Sequence, residues 1–356
     1  MRKRIPVAVL GATGSVGQRF VQLLDAHPWF ELVAVTGSER TVGKRYGQAC
    51  HWVLAEPMPE AVQHLPVLES DPQQVDCPLV FSALPSQRAL QLEPRFAQAG
   101  AFVCSNASAF RTEPDVPILL PEVNPGHIAL LKGQQQRRGW SGAIVTNPNC
   151  TSTGFAVVLQ ALQATFGVRR ALAVSLQAIS GAGYPGVSSL DILDNVIPYI
   201  DGEESKLEWE PRKMLGHLDG GQINLADLVI SAHSNRVAVS DGHVVCASLE
   251  FQHPVSPEAV QQALLAYQAP ETSRELPSTP QPVIVVRDEP DRPQPRLDRW
   301  TGSGMTTVVG RIRQDPLLHV KLVILSHNTV RGAAGGSIYN AELLVSMGFL
   351  PWVGEA

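Results

Sequence analysis

Several features that would place a chain quickly are missing from this one. No apolar run approaches the roughly 20 residues a helix needs to cross a bilayer, so no membrane role is expected. Cysteine is scarce: Cys50, Cys77, Cys104, Cys150 and Cys246 are all that 356 residues contain. They are odd in number, scattered and without CxxC spacing. This argues against a disulfide framework and a zinc site, so no metal is expected, and it suits thiols kept reduced in a cytosol. Charge of one sign is also lacking, with 28 Lys and Arg against 33 Asp and Glu for a net −5. Nothing there calls for nucleic acid as a partner, and an apolar content of 44% excludes a disordered chain. There is no internal repeat. Met1-Arg2-Lys3-Arg4 before apolar residues has the look of a secretory leader, but Gly11, Gly14 and Gly17 break the run, and a first strand is the better reading. A soluble, cytoplasmic chain with room for two domains is expected.

What is present begins with glycine at the end of a strand. Residues 5–10 (IPVAVL) read as a parallel strand buried on both faces. They run into Gly11-Ala12-Thr13-Gly14-Ser15-Val16-Gly17, and residues 18–24 then take helical periodicity. Glycines there let the turn tighten and bring backbone N–H groups up to a pyrophosphate at a helix N-terminus. The spacing is GxxGxxG, a variant of the dinucleotide fingerprint, with the strand before it and the helix after it that the fingerprint requires. A second strand is expected at 30–35. At its end an NAD site usually places a carboxylate on the ribose. Here Ser38 and Arg40, with Lys44 beyond, can receive a 2′-phosphate, which favours NADP; Glu39 is expected to point away. Further strands are expected at 78–86, with Ser82, and at 101–106; such strand ends line a cofactor crevice. Arg111 follows, as either a surface charge or an anion ligand over the site. Residues 130–141 read as a polar connection.

The chain is organised around 143–154 (AIVTNPNCTSTG). An apolar run ends in Thr146-Asn147-Pro148-Asn149, Cys150 follows, and Thr151-Ser152-Thr153 are good N-cap residues for a helix through about 162. Cys150 therefore sits at a strand-to-helix junction, where the helix N-terminus is expected to favour a thiolate. A free thiol with a pKa of about 8.5 is only roughly 3% ionised at pH 7, so such a shift separates an inert cysteine from a nucleophile.

Beyond this helix the pattern changes to α+β. A strand is expected at 170–179, then a loop of small residues from Ser180-Gly181 to Gly186, a short helix at 189–197, and a charged run from Asp201 to Lys213. Pro211 is expected to start or kink a helix there. Arg236 and His243 flank a strand and turn, followed by a half-buried antiparallel strand at 244–251. A helix is expected from Pro257 to about Tyr267. Residues 268–300, rich in proline and charge, are expected to wrap the second domain. A last strand at 320–325 precedes His327-Asn328 and a terminal helix through Leu344.

GATGSVG, SNASAFR, TNPNCT, SLQAISGAG, GEESK, NRVAVSDGH and NTVRGAAGGS together resemble the aspartate-β-semialdehyde dehydrogenase family, nearer its archaeal and fungal branch. The resemblance spans nearly the whole chain. It implies a Rossmann-type NADP-binding domain at 1–149, a catalytic and dimerisation domain at 150–326, and a C-terminal helix at 327–356 that returns to the first domain. It also implies a homodimer or homotetramer. By matching position, Cys150 is the nucleophile, His243 the acid/base, and Gln177 the residue that orients substrate beside the thiol. Arg236 grips the substrate carboxylate and Glu203 its amino group, Arg111 and Lys206 hold phosphate, and Asn149 joins the substrate site. Gly11, Thr13, Gly14, Ser15 and Val16 match the pyrophosphate turn and Asn328 lies near the nicotinamide, with Ser82, Ser180 and Gly181 also on the cofactor. Ala238 stands where a proline is common, and Pro211 interrupts a segment usually free of it.

The residue types suit a phosphorylating aldehyde dehydrogenase, and the resemblance implies NADPH-dependent reduction of L-aspartyl-4-phosphate to the 4-semialdehyde, as in lysine, threonine, methionine and isoleucine biosynthesis. In the oxidative direction Cys150 forms a thiohemiacetal, then a thioester, while His243 takes the hydroxyl proton, and biosynthesis runs this backwards. Arg111 and Lys206 hold the phosphate that exchanges with the thioester, and N–H groups at the start of the Cys150 helix are expected to hold the oxyanion. Another acyl reductase, acting on N-acetylglutamyl phosphate or malonyl-CoA, has no use for a carboxylate that reads a free ammonium. A cysteine hydrolase has no use for Gly11–Gly17, and a nucleotide sensor needs no Cys150 with His243.

Overall fold

The structure, a computed structural model, describes residues 3–351. Met1, Arg2 and residues 352–356 lie outside the described residues, and with them the first part of the leader-like start and the end of the expected third segment. Two six-stranded sheets make up the frame. The first is entirely parallel and comprises β1 (Ile5–Leu10), β2 (Phe30–Thr36), β3 (Val67–Leu68), β4 (Leu79–Ser82), β5 (Phe102–Ser105) and β6 (Ala143–Thr146). Its order is β3-β2-β1-β4-β5-β6, the doubly wound arrangement whose direction reverses between β1 and β4. Alternation along the strands sets both faces. Val7, Val9, Leu79, Phe81 and Phe102 pack with Phe20 and Val21 of the Ser15–Leu24 helix. Ala8, Leu10, Val80, Val103 and Ile144 pack with Phe96 and Ala97 of the Ser86–Gln98 helix. That both faces are apolar explains why these strands read as continuous hydrophobic runs.

The second sheet is mixed and follows β6 in the chain. It contains β7 (Val168–Gln177), β10 (Val229–Arg236), β11 (His243–Phe251), β12 (Ile284–Arg287), β13 (Thr307–Gln314) and β14 (Val320–Ser326), in the order β10-β7-β11-β14-β13-β12. A small hairpin of β8 (His217–Asp219) and β9 (Gln222–Asn224) stands apart. One face of this sheet covers the Cys150–Phe166 helix. There Phe155, Val157, Val158, Leu159 and Leu162 are fully buried, each burial stabilising by about 1.5–3 kcal/mol. On the other face Leu172, Val174 and Val229 remain exposed.

Several expected elements differ. Residues 130–141 are no mere connection, for Leu130–Arg138 is helical and closed by Gly139 at φ +65°. Its Gln134 looked polar in sequence but is buried, donating to Asp115 O and Ile144 O and accepting from Ile144 N–H. The helix expected at 189–197 stops at Ile192, because Asp194 turns to φ +57° and Ile197 exchanges both backbone hydrogen bonds with Arg236. Pro211 starts no helix. The Glu203–Met214 helix runs through it, held by the buried Leu207, Glu210, Lys213 and Met214. β13 and the Ser86–Gln98 helix, with Pro94 inside it, escaped the sequence reading. After β14 the chain makes a π-helical turn, Val330–Ala334, then the Gly335–Ser346 helix. Ile338, Tyr339, Leu343 and Leu344 of that helix join the core of the first sheet.

Candidate active site

β6 ends in Asn147-Pro148-Asn149, and Cys150 is the first residue of the following helix. The cap is Asn149 rather than the Thr151–Thr153 stretch. Its Oδ1 accepts from the Thr151 and Ser152 amides at 2.9 and 3.4 Å. Three strand ends of the second sheet converge on the thiol. His243 opens β11 and places Nε2 3.2 Å from Cys150 Sγ. Its Nδ1 accepts the Ala178 N–H at 3.0 Å, so the neutral ring carries its proton on Nε2, facing the sulfur. Gln177 and Arg236 are paired residues at the ends of β7 and β10, and Arg236 Nη1 donates to Ala178 O at 2.7 Å.

The charged groups come from the Glu203–Met214 helix and from Arg111. Glu203 accepts from Asn149 Nδ2 at 2.9 Å on both oxygens, from Gln177 Nε2 at 3.1 Å and from Lys206 Nζ at 2.8 Å. Arg111 is buried, with Nη1 on Glu210 Oε1 at 2.9 Å and Nη2 on Asn106 O at 2.9 Å. The structure thus brings Cys150, His243, Gln177, Arg236, Glu203, Lys206, Arg111 and Asn149 around one thiol. Glu210 and Lys213 were not singled out. The signal was their spacing from Glu203 and Lys206 (203, 206, 210, 213), which puts all four on one helix face.

The electrostatics correct the expected thiolate. Desolvation and the nearby Glu203 charge push the Cys150 thiol up to about 12, against the opposing pull of Arg111, Arg236 and Lys206. Burial pulls His243 down to about 3, helped by Arg236 and His327. The resting pair is therefore a thiol and a neutral imidazole. The helix N-terminus does not reverse this, since the Thr151 and Ser152 amides are already spent on Asn149. Those two donors are also unavailable to an oxyanion, which leaves the Cys150 amide nearest the sulfur.

On the first sheet, Gly11 lies at φ +73°, and a Cβ placed there would come 3.0 Å from Ala83 O. Gly11, Thr13, Gly14, Ser38, Leu84 and Arg88 line a cavity of about 620 Å³. Glu39 lines the same cavity with its side chain largely in solvent, 3.9 Å from Arg88. Arg40 and Lys44 are exposed and outside this lining, whose basic residues are Arg88 and Arg95, missed by the sequence reading because they sit on an unrecognised helix. Val16 packs into the core beneath the turn. Ser15 faces a second cavity, of about 570 Å³, with Ser180, Tyr184, Trp300 and Thr329. Asn328 joins these loops, accepting the Gly242 N–H at 2.8 Å and donating to Ser180 Oγ at 2.8 Å. Ser82 is buried at the end of β4 beside Glu93. Gly181 abuts the site itself, for a Cβ there would lie 2.7 Å from Arg236 Nη1 and 3.0 Å from His243 Nε2. Among the described residues no group of three or more His, Cys, Asp or Glu is placed to hold a metal ion.

The chain matches two family descriptions, "Semialdehyde dehydrogenase, NAD binding domain" over residues 6–131 and "Semialdehyde dehydrogenase, dimerisation domain" over 159–331. It is 51% identical over 342 residues to the aspartate-semialdehyde dehydrogenase of Archaeoglobus fulgidus, covering 96% of this chain and 98% of the relative. The chain belongs to the aspartate-semialdehyde dehydrogenase family. The Schizosaccharomyces pombe aspartate-semialdehyde dehydrogenase is 45% identical, with coverage of 97% and 99%. The crystal structure of the Candida albicans aspartate-semialdehyde dehydrogenase with NADP superposes with a TM-score of 0.90 at 43% identity, over 98% of this chain and all of that one. The family's dimerisation domain spans the second sheet, and its NAD-binding domain the first five strands.

Proposed function

We propose that this chain is an NADP-dependent aspartate-semialdehyde dehydrogenase that reduces L-aspartyl-4-phosphate to L-aspartate-4-semialdehyde and phosphate, reversibly, in amino-acid biosynthesis. The observation that carries it is the 3.2 Å contact of Cys150 and His243 inside a ring of charges that complements this substrate and no simpler one. Arg236 is assigned to the substrate carboxylate, Glu203 to its ammonium, and Arg111 with Lys206 to its phosphate. Gln177 and Asn149, both bonded to Glu203, orient what binds there. An acyl reductase for malonyl or N-acetylglutamyl groups leaves Glu203 without a cation to read.

The proposed steps follow from the geometry. His243 takes the thiol proton on Nε2, which requires the tautomer protonated on Nδ1 and so release of the Ala178 N–H. Cys150 Sγ attacks the acyl carbon, the C–O bond to phosphate breaks, and a thioester forms. Arg111 and Lys206 hold the departing phosphate, and the imidazolium delivers its Nε2 proton to the oxyanion of the next intermediate. Bound NADPH supplies the hydride. In the reverse direction the same Nδ1–H tautomer accepts the hydroxyl proton on its bare Nε2. The Gly11 turn fits the cofactor, being open where a Cβ would fill it and having cavities on both sides. Gly11, Thr13, Gly14, Ser15 and Ser38 are assigned to it, with Arg88 preferred to Arg40 and Lys44 for the 2′-phosphate. Ser82, Ser180, Gly181 and Asn328 are placed along its nicotinamide half.

We divide the chain at 149/150 and 326/327, supported by the return of the Gly335–Ser346 helix to the first core. A homodimer or homotetramer is supported by the exposed Leu172, Val174 and Val229, and a cytoplasmic location by five free thiols. The test is NADPH formation from L-aspartate-4-semialdehyde, NADP⁺ and phosphate. Phosphate-dependent turnover, abolished in Cys150→Ser and sharply weakened in Glu203→Ala, supports the assignment. Turnover only with malonyl-CoA or N-acetylglutamyl phosphate replaces the substrate.

A further inference from the structure

We propose that Glu210 is a positioning residue for the phosphate half of the reaction, its carboxylate holding the Arg111 guanidinium and the Asn149 backbone at once. The proposal rests on the reading of Arg111 as a phosphate ligand. Glu210 is only 1% exposed, one turn beyond Lys206 on the helix that carries Glu203. One oxygen accepts from Arg111 Nη1 at 2.9 Å and the other from the Asn149 N–H at 2.6 Å. Asn149 precedes the nucleophile and caps its helix, so a single side chain links the anion-binding arginine to the backbone that places Cys150. Arg111 is fixed on a second side by Asn106 O, while its buried Nε–H has no acceptor among the described residues. That leftover donor is one an entering phosphate oxygen can satisfy. Lys213, one turn further on, donates Nζ to the carbonyls of Arg111, Glu113 and Val116 at 2.7–2.8 Å. The same helix therefore orients both the guanidinium and the loop that bears it. An amide in place of the Glu210 carboxylate accepts through one oxygen only, and its NH₂ then opposes either Arg111 Nη1–H or the Asn149 N–H.

The experiment compares initial rates of the full-length enzyme with semialdehyde, NADP⁺ and phosphate varied in turn, for wild type, Glu210→Gln, Glu210→Asp, Arg111→Ala and the Glu210→Gln/Arg111→Ala double variant. Loss of one charge-assisted bond is expected to raise the phosphate KM of Glu210→Gln by about 10- to 100-fold, with the semialdehyde KM within about twofold. In the Arg111→Ala background the same change is expected to add little, because it acts through that arginine. A merely structural Glu210 would raise both KM values together, or act additively with Arg111→Ala, and either outcome overturns the proposal. A phosphate KM unmoved by Arg111→Ala sinks the phosphate reading itself and this proposal with it. An unmoved KM in Glu210→Gln alone sinks only the proposal. Glu210→Asp keeps the charge but is too short to span both partners. It is judged by the same split if the glutamine variant does not fold.

Discussion

Cys150 and His243 face one another as a thiol and a neutral ring, and the residues around them state what must change before chemistry starts. Glu203 opposes ionisation of the thiol, so an ammonium ion placed on Glu203 removes that opposition while Arg111, Arg236 and Lys206 remain. Alkylation of the unliganded enzyme by iodoacetamide is therefore expected to be slow at pH 7 and to rise continuously up to pH 10. It is expected to be faster in Glu203→Gln, and an equal rate in that variant would refute the argument. The ring has a second consequence. His243 is pulled from 6.5 to about 3, so its neutral form contributes stability that is complete above pH 6.5 and is lost as pH falls toward 3. Urea midpoints measured across that window should fall less steeply in His243→Asn than in wild type. His327, pulled down to about 4 by its own burial, keeps part of the acid sensitivity in both.

Among the elements, the π-helical turn Val330–Ala334 is the one that closes the site from behind. Gly332 lies against the nucleophile, and a Cβ there would be 2.8 Å from Cys150 Cβ. The turn is fastened by Arg331, which pairs with Glu122 deep in the protein. With Arg331 held, the turn cannot back away, so Gly332→Ala must displace Cys150 instead. Overpacking of this kind costs about 1–3 kcal/mol. The expected result is a drop in kcat of about tenfold or more, since misplacing the reacting atom costs more in rate than in folding. Full activity in a folded variant would show that the turn yields.

At the scale of the whole molecule, the Gly335–Ser346 helix is part of the first sheet's core. Glu342 is completely buried and accepts from His27 Nε2 at 3.0 Å, Ser278 N at 2.9 Å and Ser278 Oγ at 2.6 Å. Glu342→Ala leaves the buried His27 Nε2–H and two half-buried Ser278 donors unpaired, and a fall in the urea midpoint equivalent to roughly 3 kcal/mol is expected. The second sheet supplies the other large-scale feature. Leu172 is 46% and Val229 62% exposed on one face of β7 and β10. If that face is the dimer contact, Leu172→Glu with Val229→Glu is expected to shift the mass measured by light scattering to that of one chain. An unchanged mass would move the interface elsewhere.

By itself the sequence determined the elements whose pattern is local. The β1 strand, the Gly11 turn, the Cys150 junction and the β7, β11 and β14 strands lie within a few residues of their expected bounds, because burial on one or both faces writes itself into the order of apolar residues. Motif residues such as Cys150, His243, Arg236 and Glu203 were legible one by one. Their meeting was implied by the family resemblance alone and not by pattern or spacing, because it needs strand ends brought together by β7–β10 and β7–β11 pairing across long sequence separations. Tertiary structure also decided the fate of polar residues. Gln134 lies in a stretch that read as a polar connection and Glu210 and Lys213 in a charged run, yet each is buried and bonded to other segments of the chain. It decided the charge state of Cys150 as well. A helix N-terminus is visible in sequence, but Asn149 spends the donors and Glu203 supplies the opposing charge, and ionisation follows the whole local field.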